Sequence, residues 1–374
     1  MTHLLTVKIT RFAALFFLLM TVFHTLSVAQ VRFGKYFHDR TLRLSYTISG
    51  DSTCCKADFE AWQVLGHWAG ARRGLDVCND KSSMEVVIRE KSTRRVIYHK
   101  SFSSLFCEWQ SMNFDEPSGD FNEGVMIPFP KRPSVVSIIR NYGAGHADTL
   151  FNVSVDLPKP PLHDCERPEY EVVTLHAAIT RRCIDIVFLP EGYTENEMDK
   201  FLEATKKMTK GLFEYEPFSH HFKSISISAV LAPSPESGID IPSEGIERKT
   251  LMDFSYDTFG IERYIGTRNY WAVSRLASNT RWDHAIILVN SDRYGGGGIL
   301  NYYSVFPGGN PQVTELFIHE FGHAFANLPD EYEEPGNPIV PNRESDRDCI
   351  MKTLDTHFYC DECKAKVESV IRGR

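Results

Sequence analysis

Within residues 317–332, F-I-H-E-F-G-H-A-F-A-N-L-P-D-E-Y, two histidines stand four residues apart with a glutamate after the first: His319-Glu320-x-x-His323. On a helix the two imidazoles project from one face, about one turn apart. That spacing suits a single zinc ion, whose bonds to histidine nitrogen are about 2.0–2.1 Å long. Glu320, one step round the helix, can reach a metal-activated water and serve as general base. The flanking Phe317, Ile318, Phe321, Ala324 and Phe325 make the helix buried nearly all round, where two histidines and a glutamate are costly to leave unpaired. The plain alternative is a pair of satisfied core histidines.

A catalytic zinc with one open position needs a third protein ligand. Asp330 is the first choice, provided the chain leaves the helix. On a continuing helix Asp330 would lie roughly 10 Å further along the axis than His323. Pro329 disfavours helical geometry at Leu328, and Asn327 tolerates the left-handed conformation that ends helices, so the break falls just before Asp330. Glu331 is the alternative ligand. Whichever of the two does not bind metal is expected to hold a ligand histidine by hydrogen bonding.

The elements that must position this segment change character along the chain. Residues 31–156 show short alternating runs broken by turn residues, among them 41–48, 84–90, 94–98, 135–141 and 150–155, the pattern of a β-sandwich. Pro158, Pro160, Pro161 and Pro168 mark a linker. The sequon at Asn152 matters only where the source glycosylates. Beyond the linker strands alternate with helices: a buried strand over 183–189, a helix opened by a Thr194-to-Glu197 capping box and running to about Leu212, and a strand over 223–231. A helix over 261–277 and a strand over 285–289 follow. The expected organisation is a signal peptide (1–29), a β-sandwich (30–157), a linker (158–170) and an α/β or α+β catalytic domain (171–374), its mixed sheet carrying the active-site helix. Four glycines, Gly295 to Gly298, precede that helix. They suit an edge strand beside a cleft, able to pair with an extended peptide, or equally a flexible surface loop.

A net charge of −8 at pI ≈ 6.0 offers no basic surface for nucleic acid. Lys8 and Arg11 precede the apolar run 12–23, and Ser27-Val28-Ala29 supplies small residues before a cleavage point, so export to the periplasm or beyond is expected, with no membrane-spanning segment afterwards. In an exported protein the nine cysteines read as disulfide candidates with at least one left over. Cys349, His357, Cys360 and Cys363 have the make-up of a second, structural zinc site, but a disulfide from Cys349 to one of the pair is the preferred reading.

The segment His319 to His323 with Leu328 and Asp330-Glu331-Tyr332 resembles the active-site helix of the bacterial immunoglobulin A metallopeptidase family, zinc endopeptidases placed among the metzincins. Residues 184–193, 237–245, 294–303, 349–351 and 358–363 are similar to that family's successive motifs, and 33–51 to its accessory β-domain. The resemblance implies one catalytic zinc held by His319, His323 and Asp330, with Met351 forming the turn beneath it. The chain differs from the general metzincin pattern in carrying Ala326 and Pro329 where that pattern has glycine and the third ligand. With zinc in place, Glu320 is expected to take the proton of the attacking water and pass it to the leaving amine. Tyr332, or else Tyr302 or Tyr303, is placed to assist the developing oxyanion. The expected partner is a protein or peptide substrate. A non-catalytic binding protein on a peptidase scaffold and a zinc amidase acting on cell-wall peptides are the alternatives.

Overall fold

Residues 37–155 form seven strands in two antiparallel sheets. The computed structural model describes residues 30–78, 82–112, 118–143, 145–156, 169–180, 183–332 and 348–373. The expected signal peptide, most of the proline linker and Cys165 lie outside them. One sheet has the order β2 (Cys55–Val64), β1 (Phe37–Gly50), β5 (Gly119–Pro130). The other runs β4 (Val96–Phe102), β3 (Met84–Glu90), β6 (Ser134–Gly143), β7 (His146–Val155). Leu42, Leu44, Tyr46 and Ile48 on alternate positions of β1 are buried, as period-two burial requires. Ring contacts Phe37–Tyr98 and Tyr46–Phe151 join the two sheets. Sequence alternation located five of these strands; β2, whose side chains are largely exposed, and β5 carry no clean signal.

The second half is built on a six-stranded mixed sheet, in the order β12 (Gly297–Ile299), β13 (Tyr303–Pro307), β11 (His284–Val289), β9 (Ile184–Glu191), β10 (Ile225–Leu231), β8 (Glu171–His176). The four central strands are parallel, and the edge strands β12 and β8 run antiparallel to their neighbours. Every residue of β9 and β11 is buried, which explains their continuous apolar runs. Glu191, at the end of β9, is a buried charge among them: its carboxylate accepts from Thr250 Oγ1 at 2.7 Å and from the amides of Phe254 and Met252, pinning the 250–254 loop to the sheet.

A short helix, α1 (Leu105–Ser111), lies within the first half. The Thr194–Glu197 capping box is formed, and opens a 3-10 turn that leads into α2 (Met198–Leu212). The helix expected over 261–277 is shorter: only α3 (Tyr270–Ala277) is helical, capped by the Asn269 side chain. The preceding residues are extended because their backbones are committed elsewhere, Gly266 to Ser255 and Arg263 to Ile265 to Gly296. Two further helices are α4 (Val313–Ala326) and α5 (Asp361–Arg372).

Helix α4 is held against the sheet by Phe317, Phe321 and Phe325, spaced one turn apart, which stack on one another and on Phe188, Phe306 and Phe218. Burying each such ring is worth about 1.5–3 kcal/mol. The opposite face of the same helix carries His319, Glu320 and His323. Edge strand β12 crosses close beside it: a Cβ on Gly298 would lie 2.4 Å from the Glu320 carbonyl oxygen, and one on Gly296 2.4 Å from Glu320 Oε1. The glycine run is therefore an edge strand passing close to a helix and not a free loop. Its outer edge at Gly296 is taken by Arg263 and Ile265, which leaves less of it open to an added strand than the sequence suggested.

Gly298→Ala tests this contact, since its φ is not left-handed and only the steric clash is introduced. The expected result is a loss of about 1–3 kcal/mol, seen as a lowered thermal midpoint; an unchanged midpoint would show that β12 is not held against the helix.

Candidate metal centre and active site

The site is made by a chain reversal. Helix α4 ends at Ala326, and Asn327 adopts φ 51, ψ 43, the left-handed conformation that an amide side chain tolerates. The amides of Asn327 and Leu328 then bond back to the carbonyls of His323 and Gly322. Asn327 thus supplies the reversal that ends the helix. Pro329 carries the chain on, and Asp330 returns to the face of the helix it has just left.

Three donor atoms meet there. His319 Nε2 and His323 Nε2 are 3.1 Å apart, and Asp330 Oδ1 is 3.1 Å from the first and 3.3 Å from the second. Ligand atoms held about 2.0–2.1 Å from one tetrahedral ion stand about 3.3–3.4 Å apart, so the triangle has the size of a metal's coordination face. The hydrogen bonds behind it agree. His323 Nδ1 is 2.6 Å from the Leu328 carbonyl and His319 Nδ1 2.9 Å from the Ile350 carbonyl. A carbonyl can only accept, so both Nδ1 atoms carry the proton and both Nε2 atoms present lone pairs to the centre. Asp330 Oδ1, buried and without a hydrogen-bond donor of its own, completes a set of three electron-rich atoms facing one point. Only a cation or a proton relieves that arrangement.

Without a metal, a proton takes the place. Burial opposes charge on His323, but the Asp330 and Glu320 carboxylates and the Leu328 carbonyl outweigh it and raise its pKa to about 9. Burial likewise opposes the Asp330 carboxylate, and the two imidazoles overcome it and hold its pKa well below the usual range. Glu320 is raised, chiefly by burial, with the histidines pulling the other way.

Beneath the helix lies Met351, fully buried; a Cβ on Gly322, between the two histidines, would meet its Sδ at 3.0 Å. The turn carrying Met351 also supplies the Ile350 carbonyl to His319 and accepts the Glu331 amide at 2.9 Å. A cleft of about 480 Å³ opens over the site, lined by His319, Glu320, His323, Asp330, Tyr332 and the glycines of β12.

The tyrosines separate. Tyr332 lines the cleft, its ring stacked 6.4 Å from that of His319 and its hydroxyl accepting from Arg263. Tyr302 and Tyr303 do not reach the cleft: Tyr302 donates to Glu123 Oε2 at 2.6 Å, and Tyr303 is packed against Phe254. Glu331 turns away from the triad toward Cys349, Cys360 and Cys363, which it joins in a second buried cluster. His357 is not part of it; that side chain is 67% exposed and faces Glu315. Cys349, Cys360 and Cys363 all stand as thiols, so the preferred disulfide from Cys349 to one of the pair is not formed.

Several cleft residues carry no sequence signal. Arg263 and Tyr264 come from the segment that pairs with the glycine run. Glu108 comes from α1 in the N-terminal half, accepts a hydrogen bond from the Tyr264 hydroxyl, and is raised by burial to about 7. No motif links a carboxylate at 108 to histidines more than two hundred residues away.

Comparison with known proteins agrees with this geometry. The family model described as IgA Peptidase M64 matches residues 173–345, and that of the Peptidase M64 N-terminus matches residues 32–152. No curated protein matches the chain. The two matches span both halves of the fold and enclose His319, Glu320, His323 and Asp330, and the chain accordingly belongs to the IgA peptidase M64 family of metallopeptidases.

Proposed function

We propose that this protein is an exported zinc endopeptidase of metzincin type, with an N-terminal β-sandwich domain that contributes Glu108 to its cleft. The observation that carries the reading is the triangle of His319 Nε2, His323 Nε2 and Asp330 Oδ1, with Glu320 beside it on the open side. Two nitrogens and one carboxylate oxygen at tetrahedral spacing are a ligand set typical of catalytic zinc. Met351 beneath the helix and an antiparallel edge strand beside the cleft support the metzincin assignment. The apolar run 12–23 and the small residues before position 30 support export with cleavage of residues 1–29.

His319, His323 and Asp330 would hold the zinc ion, which would supply Lewis-acid chemistry for activating water and polarising the scissile carbonyl. Everything else is done by side chains. Leu328 and Ile350 fix both imidazole tautomers through Nδ1, so that the Nε2 atoms stay available as ligands. Glu320, whose carboxylate lines the cleft and has a raised affinity for protons, takes a proton from the attacking water and delivers it to the leaving amine. Tyr332, its hydroxyl held by Arg263, faces the developing oxyanion, and the Arg263 guanidinium adds positive charge on the same wall. Protein or peptide substrates fit a cleft of this size lined by the glycine run.

Glu320→Gln should keep its metal and lose roughly 10²–10⁴-fold in casein hydrolysis, because the general base alone is removed; near-normal turnover contradicts the role. Cleavage of cell-wall peptides but not of casein would move the substrate class to the amidase alternative. Asp330→Ala should lower metal content, read by elemental analysis against wild type, and full occupancy would reassign the third ligand.

A pH dependence follows from the metal-free pair. The folded pKa of His323, about 9, exceeds its ordinary 6.5, so its contribution to stability is full below 6.5 and is lost as pH rises through 9. Asp330 is depressed, so its contribution is full above about 4 and is lost only in strong acid. Chelator-treated protein is therefore expected to lose thermal stability between pH 6.5 and 9, and Asp330→Asn to lose less over the same interval. Parallel profiles for the two proteins would rule out the coupling.

A further inference from the structure

We propose that Glu331, Cys349, Cys360 and Cys363 form a second metal site, structural in role and suited to a thiophilic divalent cation of the zinc class. Their ligand atoms all lie within 4.8 Å of one another, and all four residues are buried: Cys349 at 0%, Cys363 at 3%, Cys360 and Glu331 at 7% exposure. Zinc–sulfur bonds of about 2.3 Å in a tetrahedron place sulfurs about 3.8 Å apart, within that reach. Glu331 Oε1 is 3.3 Å from Cys363 Sγ and 3.5 Å from Cys360 Sγ, while Glu331 Oε2 is buried with no hydrogen-bond partner. A buried carboxylate so placed is costly unless a cation joins it.

A disulfide does not resolve the cluster. Three sulfurs allow one bond and leave a third thiol, and neither product offers Glu331 a positive charge. A metal satisfies all four groups at once. The backbone is arranged for thiolates: the Cys360 amide points at Cys349 Sγ from 3.2 Å, the Met351 amide bonds to the same sulfur, and the Cys363 amide to Cys360 Sγ. Cys360 is also the N-cap of the twelve-residue α5, where the helix dipole favours negative charge.

The site would tie three pieces of chain together: the loop after Pro329, the Met351 turn and the start of α5. Glu331 follows Asp330 directly, so a cation here holds the returning loop from the side opposite the catalytic triad. The site does not depend on the hydrolytic reading, since none of its residues faces the cleft metal.

Metal content and cobalt absorption of the full chain test it. Wild-type protein should bind two zinc equivalents per chain, and the double variant His319→Ala, His323→Ala should retain one. That variant loaded with cobalt should show a thiolate-to-cobalt charge-transfer band in the near ultraviolet, which Cys349→Ser abolishes. Wild-type protein itself carries the stoichiometry, should the serine variant fail to fold. A single equivalent in wild type that vanishes in the double variant, or a native disulfide among Cys349, Cys360 and Cys363 found by mass spectrometry, would overturn the proposal.

Discussion

The structure depends on a tautomer constraint. His319 and His323 each commit an Nδ1 proton to a backbone carbonyl, one from the Met351 turn and one from the loop just past the helix. Their Nε2 lone pairs are thereby aimed at Asp330 Oδ1, and three electron-rich atoms converge in a largely buried place. A cation or a proton between them is what makes that favourable. The left-handed Asn327, the Phe317–Phe321–Phe325 stack and the close passage of β12 are the means by which the fold holds the convergence in place.

The two halves share in this. Glu108 reaches the cleft from α1 in the N-terminal half and is bonded by Tyr264, while Glu123 takes the Tyr302 hydroxyl and its carbonyl takes Trp271 Nε1. Residues 32–374 form one compact unit, and the N-terminal half contributes Glu108 to the cleft lining. Its removal would leave the Tyr264 and Tyr302 hydroxyls without their carboxylate partners.

What was legible in the sequence was local. His319, Glu320 and His323 are set by helical spacing, and Asp330 by the break that Asn327 and Pro329 impose, both short-range effects of backbone geometry. The buried strands β9 and β11 announce themselves by continuous apolar runs. Local periodicity favours a helix over residues 261–269, but their backbone hydrogen-bond partners at Ser255 and Gly296 leave no local trace. The same limit hid Glu108 and Arg263, and it paired His357 with the cysteines where the fold brings Glu331. Contacts between residues distant in sequence leave no periodic trace, and the choice between Glu331 and Asp330 needed the direction in which the loop turns.

The central claim is that His319, His323 and Asp330 share one metal ion. A crystal structure of zinc-loaded protein with anomalous data at the zinc edge tests it most directly. The predicted result is an anomalous peak about 2.0–2.1 Å from His319 Nε2, His323 Nε2 and Asp330 Oδ1, with Glu320 beside its open position. No peak within bonding distance of the two histidines, or one bound there by a carboxylate other than Asp330, would contradict it.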